Sequence, residues 1–219
     1  MVRDGFFYAL GLGVVAAVLW YLKMPYVLMA LPIVLAAFFL WFFRDPNRTV
    51  PQGAGEIVSP ADGVVTEAEW IETTSGSRLR LSIFLNVFDV HVNRSPVSGT
   101  VKLAEFRQGK FMNAMKPESV LNNEQTLIVI DAGGYDVSFK QIAGLLARRI
   151  VCTVKPGDRV ERGQRVGLIK FGSRVDVLIP AEANLKVKTG SRVKGGSTVL
   201  AVLPEHAGQA KSATAVMVA

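Results

Sequence analysis

The sequence predicts a mainly β domain, duplicated and tightly turned, with few short helices and an apolar helical hairpin in front of it. Three observations predict this. Residues 5–22 and 24–43 form two long runs without charge. Beyond residue 50, apolar and polar residues alternate over short stretches bounded by Gly, Pro, Asp and Ser. Two pairs of similar segments recur there, each with a glycine close to a β-branched run.

At 1.5 Å per residue the two uncharged runs reach roughly 27 and 30 Å, about the thickness of a hydrocarbon core. Lys23-Met24-Pro25 separates them. Pro25 interrupts a helix and Lys23 is costly at mid-membrane, so a turn is expected there. Trp20, Tyr21 and Tyr26 flank that turn, and Trp41 lies near the other end, as interfacial aromatics do. A secretory leader fits poorly, because two runs follow each other and no small-residue cleavage site stands out. A single re-entrant or interfacial segment is the other reading. Arg3 on one flank and Arg44 and Arg48 on the other outweigh Lys23 in the turn. Both ends, and the main domain, are therefore expected on the cytoplasmic side of the cell (inner) membrane. Arg44-Asp45-Pro46-Asn47-Arg48 and Pro51-Gln52-Gly53 read as a polar linker. Residues 1–49 are thus the expected hairpin and linker, and 50–219 the main domain.

Within that domain, Leu79-Arg80-Leu81-Ser82-Ile83 and Val137-Ser138-Phe139-Lys140 alternate with period two, as half-buried strands do. Leu127 to Ile130 is a short apolar run, and Asp131-Ala132-Gly133-Gly134 after it is a turn. Residues 142–150 fit a short helix or a strand. Val154-Lys155-Pro156-Gly157-Asp158-Arg159-Val160 is echoed by Val187-Lys188-Thr189-Gly190-Ser191-Arg192-Val193. Ser59-Pro60-Ala61-Asp62-Gly63-Val64-Val65 is echoed by Ser95-Pro96-Val97-Ser98-Gly99-Thr100-Val101. Glycine at such turns supplies backbone angles that other residues reach only with strain. The pattern resembles the barrel-sandwich fold of biotinyl and lipoyl domains, here duplicated.

The chain of 219 residues carries a net charge of +7 and a pI near 9.7. Dense basic clusters with interleaved aromatics are absent, and Arg148-Arg149 is the only adjacent basic pair, so nucleic acid is not an expected partner. An anionic membrane surface is. Cys152 is the only cysteine, which excludes an internal disulfide and a cysteine metal site; it reads as a small buried residue rather than a nucleophile. With only His91 and His206 as histidines, no metal site is expected.

Five segments occur in one order: Ser59-Pro60-Ala61-Asp62-Gly63; Asp89-Val90-His91-Val92-Asn93-Arg94-Ser95-Pro96; Asn122-Asn123-Glu124; Arg148-Arg149-Ile150; and Gly167-Leu168-Ile169-Lys170-Phe171-Gly172-Ser173. In these, over roughly residues 44–203, the chain resembles the short, membrane-anchored branch of the phosphatidylserine decarboxylases. The resemblance implies a proenzyme that cuts itself between Gly172 and Ser173. Residues 1–172 and 173–219 would remain together as a heterodimer of β and α chains, and Ser173 would become a covalent pyruvoyl cofactor. Phosphatidylserine would form a Schiff base with it, lose CO2 and leave as phosphatidylethanolamine.

Gly-Ser alone carries little information, since the chain holds four: Gly76-Ser77, Gly172-Ser173, Gly190-Ser191 and Gly196-Ser197. Gly172-Ser173 follows the first repeat's apolar strand, as the family's cleavage dipeptide does. Gly196-Ser197-Thr198 is the rival. His91, the histidine inside a family motif, is the expected proton-transfer residue, against the plainer reading of a satisfied, partly buried imidazole. Asp62 matches the family's self-cleavage aspartate, but Asp-Gly is also a routine turn pair. Asp89 reads as a turn or surface charge. Many family members carry a second histidine three residues beyond the first; here that position is Arg94, which stays protonated and cannot be a base. Either His91 serves both steps or Asp62 acts without a histidine relay, and Arg94 would instead hold the lipid phosphate or the serine carboxylate. Ala114-Met115-Lys116 reads as a loop facing the membrane or the active site. The other class the repeats allow is a membrane-anchored adaptor with biotinyl-like halves and no catalytic activity; it calls for a coiled coil between the halves.

Overall fold

The structure, a computed structural model, describes residues 2–73, 76–115, 118–145, 149–170 and 173–204. Lys116, Arg148, Gly172 and His206 lie outside these ranges. The chain divides into two compact units, residues 1–47 and 48–219.

In the first unit, helix α1 (Arg3–Tyr21) packs against helix α2 (Tyr26–Phe42). Their 19 and 17 residues follow the two uncharged runs, and only α1 is both long and apolar enough to cross a membrane. Between them Lys23 takes a left-handed φ of 53°, and Pro25 stands at the N-cap of α2. Phe7, Leu10, Trp20, Val27 and Leu31 are exposed, an apolar surface suited to hydrocarbon rather than water.

The second unit is mainly β. Its strands in chain order are β1 (Glu56–Val58), β2 (Gly63–Thr73), β3 (Gly76–Leu85), β4 (Val92–Arg94), β5 (Gly99–Arg107), β6 (Gln125–Asp131), β7 (Asp136–Ala143), β8 (Ile150–Cys152), β9 (Arg159–Val160), β10 (Arg165–Ile169), β11 (Ser173–Pro180), β12 (Asn184–Leu185), β13 (Arg192–Val193) and β14 (Val199–Val202). One short helix, α3 (Ser119–Asn122), stands between β5 and β6. Where residues 142–150 left helix or strand open, β7 ends at Ala143 and β8 begins at Ile150.

A curled sheet runs β13-β2-β3-β11-β7-β6-β5-β9, and two small sheets run β1-β14-β12 and β4-β10-β8. The large sheet reads the same from either end, because the unit is built from two copies of one motif. Val193 pairs with Gly63 as Val160 pairs with Gly99. A bulge follows Val65 in β2 and Val101 in β5. Gly190 donates its N–H to the Val65 carbonyl and Gly157 to the Val101 carbonyl, both at 2.8 Å. Ser59 Oγ donates to the Ala61 carbonyl and Ser95 Oγ to the Val97 carbonyl, both at 2.6 Å. Gly63 and Gly99 are required by the closeness of a neighbouring strand: a Cβ there would lie 2.2 Å from the Phe84 oxygen and 2.0 Å from the Asp131 oxygen.

The copies are nested rather than consecutive. One is continuous and comprises β4 to β10. The other is split into β1–β3 and β11–β14, with the continuous copy threaded between. In the inner copy β6 and β7 form a hairpin closed by Asp131 and Asp136. In the outer copy the matching hairpin is cut open: β3 ends at Leu85 and β11 begins at Ser173, its register partner. Leu81, Ile83, Val175 and Val177 line the interior on one side, and Ile128, Ile130, Val137 and Phe139 on the other, all fully buried. Each contributes about 1.5–3 kcal/mol by leaving water.

Candidate active site

The chain leaves the outer copy after Leu85, through residues 86–91, and re-enters it at Ser173. His91 and Ser173 stand at the ends of these two crossings. Ser173 opens β11 between Leu85 of β3 and Ala143 of β7, its register partners. Its side chain is fully buried, and its Oγ has no hydrogen-bond partner among the described residues. A buried hydroxyl without a partner costs about 1–3 kcal/mol, so this one calls for an explanation. The other Gly-Ser serines are not buried. Ser77 Oγ bonds Glu72, and Ser191 Oγ accepts the Lys188 N–H at 3.0 Å. Ser197 lies in a turn in which its N–H donates to the Lys194 carbonyl.

His91 is buried, and its Nδ1 lies 2.9 Å from the Asp89 carbonyl oxygen. A carbonyl only accepts, so Nδ1 carries the hydrogen and, in the neutral ring, Nε2 holds the lone pair of a base. The Ile169 N–H donates to the His91 carbonyl at 3.2 Å, which fastens His91 four residues upstream of Ser173 on the returning strand. Segment 86–91 is itself braced. Asn86 Oδ1 accepts the Phe88 N–H, Asp89 Oδ2 accepts the Asn86 N–H, and Arg192 donates to Asp89 Oδ1. Asp89 is thus the turn residue the sequence suggested but not a surface charge: it is 4% exposed and held by a strand distant in sequence.

Asp62 and Arg94 lie among the turns at the other end of β4. Asp62 accepts Arg48 Nη2 at 2.7 and 3.0 Å and the Gly195 N–H at 2.8 Å. Its counterpart in the inner copy, Ser98, accepts the Arg162 N–H at 2.9 Å, so both close the same turn. Arg94 donates its main-chain N–H to the Pro60 carbonyl and Nη1 to the Gly163 carbonyl. The structure therefore brings Ser173 and His91 to the crossings and places Asp62 and Arg94 among the turns.

A phosphatidylserine decarboxylase family profile matches residues 35–201. A protein of Solibacter usitatus named phosphatidylserine decarboxylase proenzyme is 48% identical over 202 residues, covering 92% of this chain and 96% of its own length. Proteins of the same name from Symbiobacterium thermophilum and Burkholderia mallei are 48% and 45% identical over 175 residues, each covering 78% of this chain and 81% of their own. The chain belongs to the phosphatidylserine decarboxylase family.

In this decarboxylase family member, the residue after Ser173 anchors the strand. Arg174 points to the opposite face, 2% exposed, with Nε donating to Asp176 at 2.6 Å, Nη2 to Glu67 at 2.7 Å and Nη2 to Ser82 at 2.6 Å. Burial works against its charge, but the two carboxylates outweigh that and hold the guanidinium above its usual range. Ala114 and Met115 line a cavity of about 40 Å3 with Arg174, Glu67 and Phe84, so that segment lies on the face of β11 behind Ser173. The sequence hinted at none of these contacts, since they join β2, β3 and β11 across long separations.

Cys152 is half-buried, and burial pushes its thiol above the usual value near 9, with a weaker opposing backbone hydrogen bond at Val154. The thiolate is the reactive form. Alkylation by iodoacetamide at pH 7 should be slower than that of a free thiol and should accelerate as pH rises beyond 9. Rapid alkylation at neutral pH would contradict the burial.

Proposed function

We propose that this chain converts phosphatidylserine to phosphatidylethanolamine, using a pyruvoyl group made from Ser173 by scission of the Gly172–Ser173 bond. The observation that carries the reading is the Ser173 hydroxyl: buried, without a partner among the described residues, at the start of a central strand in a chain whose relatives are named proenzymes.

The Ser173 Oγ adds to the Gly172 carbonyl. The C–N bond breaks, leaving an ester and a free amine on Ser173. A base takes the Ser173 α-proton, and the Cβ–O bond breaks to release the Gly172 carboxylate. The remaining dehydroalanine tautomerises to an imine; water adds and ammonia leaves. The residues at hand suit this product: the strand start is fixed on both sides by β3 and β7, and Arg174 pins it from the far face. When formed, the pyruvoyl group supplies an electron sink for the departing carboxylate of an amino acid. His91 Nε2 is the base for the α-proton in scission and the acid that returns a proton to the substrate α-carbon. Asp62 and Arg94 act by holding the turns. The α1–α2 hairpin, flanked by Arg3, Arg44 and Arg48, anchors the domain at the cytoplasmic side of an anionic membrane, where its substrate resides. An adaptor would need a coiled coil between its halves; here residues 86–91 join them.

Scission would not free the small chain. β11 lies between β3 and β7, β13 pairs with β2, and β14 pairs with β1. Intact-mass measurement should find residues 1–172 and 173–219 as separate chains. The smaller should begin with a ketone that hydroxylamine modifies, and the two should co-elute until denatured. A small chain that begins with ordinary serine, or one continuous active chain, would refute the reading.

A further inference from the structure

We infer that the buried amides of Asn93 and Gln141 are positioning residues for scission at Ser173 and are not needed for the fold; this rests on the reading of Ser173 given above. Both are fully buried, and Gln141 Nε2 donates to Asn93 Oδ1 at 2.8 Å. Asn93 Nδ2 and Gln141 Oε1 have no partner among the described residues. Exchanging oxygen and nitrogen on both amides would only swap which atoms are left over. A core that merely needed filling would not use two half-satisfied amides.

The nested copies supply an internal control. Asn93 pairs with Gly167 as Ile57 pairs with Ala201. Gln141 pairs with Thr126 as Ile179 pairs with Leu79. The outer copy thus fills the same positions with Ile57, Ile179 and Leu79, all in the apolar core. The fold accepts isoleucine at both amide positions, so the polar choice in the inner copy answers to something else.

Its location says what. Asn93 lies two residues beyond His91 on the same short segment. Gln141 lies two residues before Ala143, the register partner of Ser173, and itself pairs with Val175 of the same strand. The amide bond therefore ties the strand that follows His91 to the strand beside Ser173. Two isoleucines in contact tolerate sliding, whereas an amide pair in a dry interior selects one relative placement. The pair fixes the base-bearing crossing against the nucleophile-bearing strand.

The test compares wild type with Asn93→Ile/Gln141→Ile, a replica of the outer copy, and with the exchange Asn93→Gln/Gln141→Asn. Scission is followed by intact mass during cell-free synthesis with detergent, and the thermal midpoint is measured on each chain in a Ser173→Ala background. The isoleucine pair should keep or raise the midpoint yet slow scission about a hundredfold, the scale of a 1 Å misplacement. The exchange variant, which retains one amide–amide bond, should recover part of the rate. Scission of the isoleucine pair at the wild-type rate overturns the inference. So does failure of that variant to fold, because the two copies would then not be interchangeable. A wild-type chain that never cuts refutes the Ser173 reading instead.

Discussion

The Ser173→Ala variant is expected to fold like the uncut wild type, to remain one chain of 219 residues, and to show no decarboxylase activity. The substitution removes a single oxygen. That oxygen has no hydrogen bond to lose among the described residues and no solvent to face, so its loss is neutral or slightly stabilising. The strand pairs through its main chain, and its inward neighbours Val175 and Val177 are untouched. The thermal midpoint should stay within about 2–4 °C of the uncut wild type, the shift that about 1 kcal/mol produces in a domain of this size. Activity should vanish altogether, because alanine can neither attack the preceding carbonyl nor lose a β-substituent. Ser173→Cys extends the argument. A thiol can attack, and elimination from the thioester gives the same dehydroalanine, so slow cutting and the same terminal ketone are expected. Cleavage of the alanine variant, seen on a denaturing gel, would move the scission elsewhere. Gly196-Ser197 would be the next place to look, although its glycine, at φ 76°, already serves a turn.

Much of this architecture was visible in the residue pattern, and the hidden part has one physical cause. Alternation in Leu79-Arg80-Leu81-Ser82-Ile83 and in Val137-Ser138-Phe139-Lys140 revealed β3 and β7 because period two is a local property of a half-buried strand. The echoes around Gly63, Gly99, Gly157 and Gly190 revealed a duplication because turns carry local chemistry. Which echo pairs with which was not legible. Gly63 answers to Val193 and Gly99 to Val160, and only strand pairing over long separations decides that nesting. Asp89 was legible as a turn residue, but its burial was not: its partner Arg192 is remote in sequence, so nothing local told the turn from a surface charge. The amides of Asn93 and Gln141 meet 48 residues apart, and no local pattern announces them. Ser173 and His91 were singled out by motif order, whereas their places where the outer hairpin opens to admit the second copy needed the topology.

His91→Asn should be cut only slowly, and its turnover should fall with it. Asparagine is the informative replacement because its amide nitrogen can reproduce the Nδ1–H bond to the Asp89 carbonyl while removing the Nε2 position. Segment 86–91 keeps its bonds from Asn86, Asp89 and Arg192 in either case, so the fold should survive. What disappears is an imidazole nitrogen able to take up and return a proton. General acid–base groups contribute about 10²–10⁴-fold, and scission should slow by that order. The alternative base, Asp62, has its carboxylate engaged by Arg48 and the Gly195 N–H, and Arg94 cannot accept a proton. Added imidazole should restore part of the cutting if a base is all that is missing. The outcome to watch is full cutting with lost turnover. It would confine His91 to protonation of the substrate and give the scission step to Asp62, whose release from Arg48 would then have to precede it. Full cutting with full turnover would remove His91 from the chemistry and leave its buried ring as packing.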